Sequence, residues 1–160
     1  MFFKSNKKNT YKQIEKSVDL ILKKLLWLKE NKSANTILLA GQNNETVKAI
    51  SEKLFQKLTE DYDKNFLLLN LGEAVKGPDS IDWDHDLVLC YCEDFSSCPA
   101  IYEYSSYIDT SIILVKSGHS NRARIKDMIK GLKDINVSVS GAILHSFKEK
   151  IPSIINWIIS

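Results

Sequence analysis

The stretch ILLAGQNNETVKAISEKL (residues 37–54) decides how the rest of the chain is interpreted. It begins with an apolar run typical of a buried strand, continues through a polar loop, and ends in the periodic pattern of an amphipathic helix. A strand, loop and helix in this order form a common phosphate-binding unit, in which glycines let backbone N–H groups surround the phosphate. Here Gly41 begins the loop, and residues 42–48 contain no further glycine.

Composition predicts a single globular domain over residues 1–160. Hydrophobic residues make up 44% of the chain and charged residues 26%, which is an ordinary mixture for a folded domain of this length. The 3 prolines and 6 glycines are too few for a long linker. The first residues do not resemble a signal peptide, and the 3 cysteines are an odd number, so we expect reduced thiols and a cytoplasmic location.

Positive charge is concentrated at the N-terminus. Residues 1–32 hold nine lysines against Glu15, Asp19 and Glu30, a net charge of +6, which leaves −4 on the remainder. A solvated helix face is the simpler interpretation, and contact with an acidic partner or an anionic membrane surface is the alternative. Nucleic-acid binding is not predicted, because the lysines belong to no recognised motif. No apolar run reaches the roughly 18 residues needed to span a bilayer.

Apolar runs and helical patterns alternate along the whole chain. Strands are predicted at 36–40, 66–71, 87–92, 111–116 and 139–144, and helices at 10–30, 45–60, 99–107, 120–133 and from Pro152 onward. Asn44 and Ser120 are the predicted N-caps of the second and fourth helices. The alternation predicts an α/β fold, a three-layer α/β/α sandwich with a mostly parallel five-stranded sheet. In such sheets ligands bind beyond the carboxyl ends of the strands.

Three segments resemble those of the bacterial tyrosine kinases (BY-kinases) of capsule and exopolysaccharide assembly. They are TILLAG (36–41), HDLVLCYCED (85–94) and the long run IDTSIILVKSGHSNRARIKDMIKGLKDINVSVSGAILH (108–145). These kinases form part of the wider MinD/ParA group of P-loop ATPases. The order of segments is similar over nearly the whole chain, and the resemblance implies a P-loop NTPase-like fold.

The phosphate loop of that family departs from its pattern here. The family motif is G-x-x-x-x-G-K-[ST], in which the glycines let the backbone approach the phosphates and the hydroxyl binds Mg²⁺. Alignment from the strand places Lys48 at the lysine of the motif. Val47 then replaces the glycine and Ala49 replaces the hydroxyl residue. A β-branched valine is restricted where glycine is not, and alanine cannot bind a metal.

Some anion-binding capacity remains in this loop. Gly41, Asn43, Asn44 and Lys48 are the candidate residues there, supported by the free N–H groups at the start of the following helix. The simpler interpretation of Lys48 is a lysine exposed to solvent on the helix.

The acidic positions of the family are also changed. Asn70 and Gly72 stand where the resemblance implies an Asp-x-Asp, and Tyr91 stands at the position of the Walker B aspartate. A phenol is uncharged near neutral pH and does not replace a carboxylate beside Mg²⁺. All the expected carboxylates are therefore missing together, which argues against hydrolysis.

Two further positions are candidates for a remaining polar role. Asp94, with Glu93 beside it, follows the third strand at the carboxyl edge of the sheet. His145 stands where the resemblance implies an asparagine near the adenine, although a surface histidine is the simpler interpretation.

The cysteines allow several interpretations. Cys90 and Cys92 lie on the same face of a strand, so with Cys98 and a histidine they could be arranged around a metal. Buried free thiols are the simpler interpretation, because the paired C-x-x-C spacing of structural zinc sites is absent. No metal site is predicted. Cys98 precedes a helix, which would lower its thiol pKa and allows a catalytic thiol as a further alternative.

We therefore predict a catalytically inactive BY-kinase-like protein that acts as a binding or regulatory partner in capsule or exopolysaccharide biosynthesis. The expected partner is an active homologue or a membrane component of polysaccharide assembly, contacted through the basic first helix or through the apolar segment IPSIINWIIS (151–160). Peripheral membrane contact at the cytoplasmic face is a further expectation. No cofactor is expected.

Two alternative functions remain open. In the first, the chain is a divergent kinase or ATPase that binds ATP through Lys48, with Glu93 or Asp94 holding Mg²⁺. In the second, it is a degenerate partner in MinD/ParA-type positioning or flagellar assembly.

Overall fold

The computed structural model describes residues 2–42, 45–73, 76–116 and 121–145. These residues form four α-helices: α1 (Phe2–Lys32), α2 (Glu45–Asp61), α3 (Ala100–Tyr104) and α4 (Arg122–Asp134). They also form five strands: β1 (Thr36–Ala40), β2 (Phe66–Asn70), β3 (Leu87–Cys92), β4 (Thr110–Lys116) and β5 (Val139–His145). Short 3₁₀ turns lie at Pro78–Ser80, Phe95–Ser97 and Ser105–Tyr107.

The five strands form one all-parallel sheet. Their order is β2-β3-β1-β4-β5, so β1 is central and lies between β3 and β4. Every residue of β1 and β3 is buried, as expected for parallel strands covered on both faces. The predicted α/β fold with a five-stranded parallel sheet is confirmed.

Helices cover both faces of the sheet and complete three layers. Ile37 and Leu39 of β1 pack in the cluster formed with α1 and α2. Leu38 and Ala40 alternate with them and pack in the cluster formed with α3 and α4. This alternation follows from the two-residue period of a strand. The predicted α/β/α sandwich is therefore confirmed.

Two predicted helix starts were wrong. The first helix begins at Phe2 rather than near residue 10, because the lysines before its apolar face are good helix formers. The N-cap of α4 is Asn121, whose side chain accepts a hydrogen bond from the backbone N–H of Arg124 at 2.8 Å. Ser120 and the predicted cap Asn44 lie outside the described residues, and so does the helix predicted from Pro152.

Carboxylates at the amino edge of the sheet have structural roles. Asp109 Oδ2 accepts hydrogen bonds from the backbone N–H groups of Asn35 and Thr36 at 2.8 and 2.9 Å. Asp86 Oδ2 accepts one from the N–H of Asn65 at 2.8 Å. These bonds satisfy backbone donors where β1 and β2 begin. Of the helices in the described ranges, none is both long and apolar enough to span a bilayer.

Candidate functional site

The carboxyl ends of the three strands β1, β2 and β3 bring most of the sequence-predicted site residues to one edge of the sheet. Gly41 follows β1, Asn70 ends β2, and Tyr91 precedes the last residue of β3. The parallel register pairs Asn70 with Tyr91 and Ala40 with Cys92. The described residues around this edge therefore form the candidate site.

Val47 fills the space beside Gly41. The valine side chain is fully buried, and a Cβ added at Gly41 would lie only 2.5 Å from Val47 Cγ2 and 3.5 Å from the carbonyl oxygen of Leu114. Gly41 is therefore required for close packing of this loop against its own helix. A methyl group of Val47 fills the space between the strand and the helix, where backbone N–H groups would otherwise face a bound anion.

Hydrogen bonds tie this loop to its neighbours. The side-chain Nε2 of Gln42 donates to the carbonyl oxygen of Arg124 in α4 at 2.9 Å. The N–H of Phe95 donates to the carbonyl oxygen of Gly41 at 3.0 Å. Gln42 Oε1 is buried and accepts no hydrogen bond from the described residues.

Lys48 is exposed on α2, as its simpler interpretation predicted. Asn43 and Asn44 lie outside the described residues.

Asn70 and Tyr91 pair with each other at the position implied for the magnesium carboxylates. The Asn70 amide lies near the Tyr91 hydroxyl, and Asn70 Oδ1 accepts a hydrogen bond from the N–H of Gly72 at 3.0 Å. Burial raises the pKa of the Tyr91 phenol, and nearby carboxylates act in the same direction. A neutral amide–phenol pair therefore occupies this position.

Asp94 stabilises the turn that follows β3. Its Oδ1 accepts from the N–H of Ser96 at 3.2 Å and from the Ser96 hydroxyl at 2.8 Å, and its Oδ2 accepts from the Ser97 hydroxyl at 3.0 Å. A metal ion would compete with these bonds. No group of three or more His, Cys, Asp or Glu side chains within the described ranges is arranged to hold a metal ion.

His145 lies at the carboxyl edge but two strands away from β1, and the tyrosines of α3 and of the 105–107 turn pack elsewhere in the fold. The backbone of His145 pairs with Lys116 at the end of β5, on the outer strand beyond β4. Tyr104 is buried, and Tyr107 stacks on Trp83 with ring centroids 4.6 Å apart. These two tyrosines therefore pack in the fold, as expected of aromatic side chains.

Sequence reasoning missed a contact between two thiols at the edge. Cys92, the last residue of β3, lies close enough to Cys98, which follows the 95–97 turn, that each thiol shifts the pKa of the other. All three cysteines are free and buried. The sequence did show a cysteine at each end of the segment that follows the third strand, with Asp94 between them. It did not show that this segment turns back and brings the second cysteine to the first.

The outer face of α1 combines exposed apolar and basic side chains. Leu20 is 55% exposed and Trp27 is 47% exposed. Lys16 and Lys23 are exposed near them, and the ammonium group of Lys24 lies 4.8 Å from the centroid of the Trp27 ring. We call these five residues the α1 stripe.

The acidic residues of α1 pair with α2. Lys57 Nζ lies 2.6 Å from Asp19 Oδ1, and Lys53 Nζ lies 3.9 Å from Glu15 Oε1. Both carboxylates are therefore oriented toward lysines of the neighbouring helix, and the positive charge of the α1 stripe is less neutralised than the sequence alone suggests.

Comparison with solved structures finds a similar fold in a kinase domain. The chain superposes on the crystal structure of the VpsO kinase domain with a TM-score of 0.66, over 92% of this chain and 100% of that domain. The two sequences are 10% identical, so this likeness concerns the fold. No protein-family model matches the chain, and no curated protein matches it in sequence. The chain therefore has an α/β fold similar to that of this kinase domain.

Proposed function

We propose that the chain is a catalytically inactive P-loop kinase-like protein that acts as a binding or regulatory partner in capsule or exopolysaccharide biosynthesis. The buried side chain of Val47, packed against Gly41, is the observation that carries the proposal. A phosphate loop needs its backbone N–H groups to surround the phosphates, and this valine occupies the space where glycine would let the backbone approach.

The neutral pair at the edge supports the same conclusion. Mg²⁺ binds carboxylates and phosphate oxygens in kinase and ATPase sites. Asn70 and Tyr91 are both neutral, and Ala49 on α2 has no hydroxyl. The neighbouring carboxylates of the described residues are not grouped as a metal site. A triphosphate at this edge would therefore lack both its backbone cradle and a preformed site for its ion. Of the two acidic side chains in the alternative ATP-binding function, Glu93 and Asp94, Asp94 already caps a turn.

The α1 stripe is the proposed contact surface. Exposed Leu and Trp side chains offer apolar area to a partner, and lysines around them favour an acidic surface. Of the three exposed large hydrophobic side chains among the described residues, Leu20 and Trp27 lie on α1, whereas Tyr102 lies on α3 across the sheet. The proposed partner is an active polysaccharide kinase or the membrane assembly protein that accompanies it, at the cytoplasmic face of the membrane.

Binding to such a defined partner tests the proposal. The kinase and the membrane protein encoded nearest to this chain are purified, and their affinity for it is measured by biolayer interferometry. The double variant Leu20→Ser/Trp27→Ser is expected to weaken binding at least about tenfold, because exposed aromatic anchors dominate such interfaces. The matched control Tyr102→Ser removes an equally exposed side chain from the opposite face and is expected to bind like the wild type.

Three outcomes would contradict the proposal. They are no binding to either protein, equal loss in the double variant and the control, and binding to anionic vesicles with no protein partner. The last result would assign the α1 stripe to the membrane surface. A neighbourhood of cell-division or flagellar genes would favour the MinD/ParA alternative.

A further inference from the structure

Two thiols from different segments meet at the carboxyl edge of the sheet. Cys92 ends β3, and Cys98 lies between the 95–97 turn and α3. The two thiols are close enough that each shifts the pKa of the other, and both belong to the same buried cluster. Both side chains line the same cavity of about 230 Å³. A pair of thiols in contact beside a cavity is an arrangement that can be oxidised without a large movement of the chain.

The two sulfurs are chemically different. The adjacent Cys92 thiol, and then the N–H groups of Ile101 and Ala100 at the start of α3, lower the pKa of Cys98 to about 7. The neighbouring Cys98, together with burial, raises the pKa of Cys92. Cys98 is 6% exposed whereas Cys92 is fully buried, so a small oxidant meets Cys98 first. Exposure and the lowered pKa both make Cys98 the attacking sulfur and Cys92 the resolving one.

Cys90 serves as an internal reference. It lies on the same face of β3 in the same apolar cluster, but it does not line the cavity. Burial raises its pKa to about 12. A small oxidant that enters the cavity will therefore leave Cys90 reduced.

The cavity sets a charge preference for the oxidant. The side chains that line it include Glu73, Glu93 and Asp94, together with Asn70 and Ser97. Carboxylates around an entrance repel anions and attract cations, most strongly at low ionic strength. A small cationic disulfide will therefore reach Cys98 faster than an anionic one.

We propose that Cys92 and Cys98 form a redox-active dithiol that low-molecular-weight disulfides, cationic ones in preference, oxidise to an intramolecular disulfide. The Cys98 thiolate attacks one sulfur of the small disulfide, whose S–S bond breaks and releases one thiolate. Cys92 gives its proton to the departing thiolate and attacks the Cys98 sulfur, which expels the second thiolate. The protein loses two electrons and two protons, and the small disulfide is reduced to two thiols.

This disulfide would alter the edge described above. The N–H of Phe95, in the turn between the two cysteines, bonds to the carbonyl oxygen of Gly41. A covalent link between Cys92 and Cys98 fixes this turn against the end of β3 and, through Phe95, restricts its movement relative to the loop after β1. The inference goes beyond the proposed function and does not depend on it.

Oxidation of the reduced full chain by cystamine, a cationic disulfide, tests the inference. Intact mass is expected to fall by two hydrogens, and peptide mapping is expected to find a Cys92–Cys98 bridge with Cys90 still open to alkylation after unfolding. Oxidised glutathione, which is anionic, is expected to react more slowly at low salt, with the ratio of the two rates shrinking as salt is added. Cys90→Ala is the matched control and is expected to form the same bridge.

Several results would overturn the inference. One is a reduced pair after prolonged treatment with cystamine, and another is a stable mixed disulfide on Cys98 that Cys92 does not resolve. Equal reaction rates of cystamine and oxidised glutathione at low salt would show that the carboxylates around the cavity do not select for a cationic disulfide. Cys98→Ala is expected to form no bridge and no mixed disulfide. The alkylation rate of Cys98 in the folded wild type provides a second measurement that does not depend on a variant folding.

Discussion

Single side chains account for the difference between this edge and a working nucleotide site. Val47 fills the space beside Gly41, and the neutral Tyr91 lies beside Asn70 where the resemblance implied an aspartate. Under the proposed function, each change removes a group that would face a phosphate or its ion. These residue types are evident in the sequence, because they stand at fixed distances from the predicted strands. The packing of Val47 against Gly41 could not be predicted, since it depends on how closely α2 approaches the end of β1.

The pH dependence of Cys98 reactivity follows from its lowered pKa. Because the thiolate is the reactive form, the rate of alkylation by iodoacetamide in the folded protein is expected to rise as pH increases through about 7. Cys92→Ala removes the neighbouring thiol that lowers this pKa most, so the midpoint is expected to move upward. A midpoint unchanged in Cys92→Ala would show that the thiol contact does not control the reactivity of Cys98.

At the scale of elements, the end of α1 is set by one residue in an unusual backbone conformation. Ser33 follows the last helical residue with φ of 53°, in the left-handed region that favours glycine. Ser33→Gly is expected to raise the free energy of unfolding by about 0.5–1 kcal/mol, measured by urea denaturation. The control Glu30→Gly places glycine at an exposed position inside the helix and is expected to lower it by a similar amount. If both variants lower stability, Ser33 is not under backbone strain.

Strands were easier to predict than caps and turns. The bounds of β3 were predicted to the residue, because six consecutive buried apolar residues define a parallel strand without reference to the rest of the chain. The N-cap of α4 was predicted wrongly. Ser120 and Asn121 are neighbours and both residue types are good caps, so the choice depends on the path of the chain before the helix.

The thiol contact could not be predicted for a similar reason. It depends on a turn held by three hydrogen bonds to Asp94, which bring the sulfur of Cys98 back to the strand it has just left. The sequence did correctly place Cys90 and Cys92 on one face of β3 and expected a lowered pKa for Cys98. The helix terminus was the predicted cause, whereas the neighbouring Cys92 thiol contributes more.

At the scale of the whole molecule, the three layers separate two surfaces. The α1 stripe lies on the outer helical layer formed with α2, and the dithiol lies on the other side of the sheet with α3 and α4. Alternate residues of the central strand β1 pack against the helical layer on each face of the sheet, so the carboxyl end of β1 lies between the two layers. The fold is similar to that of the VpsO kinase domain, while Val47 and Gly41 at the carboxyl edge pack against each other.

Calorimetric titration with ATP and Mg²⁺ tests the central claim most directly. We predict that the wild-type chain binds ATP no more tightly than about 1 mM, with or without Mg²⁺, because Val47 fills the space beside Gly41 and the carboxylates of the described residues near Asn70 and Tyr91 are not grouped as a metal site. Lys48→Ala is expected to leave the titration unchanged, and an active P-loop kinase titrated under the same conditions is the positive control. Micromolar binding that requires Mg²⁺ and disappears in Lys48→Ala would contradict the account and establish a nucleotide-binding site.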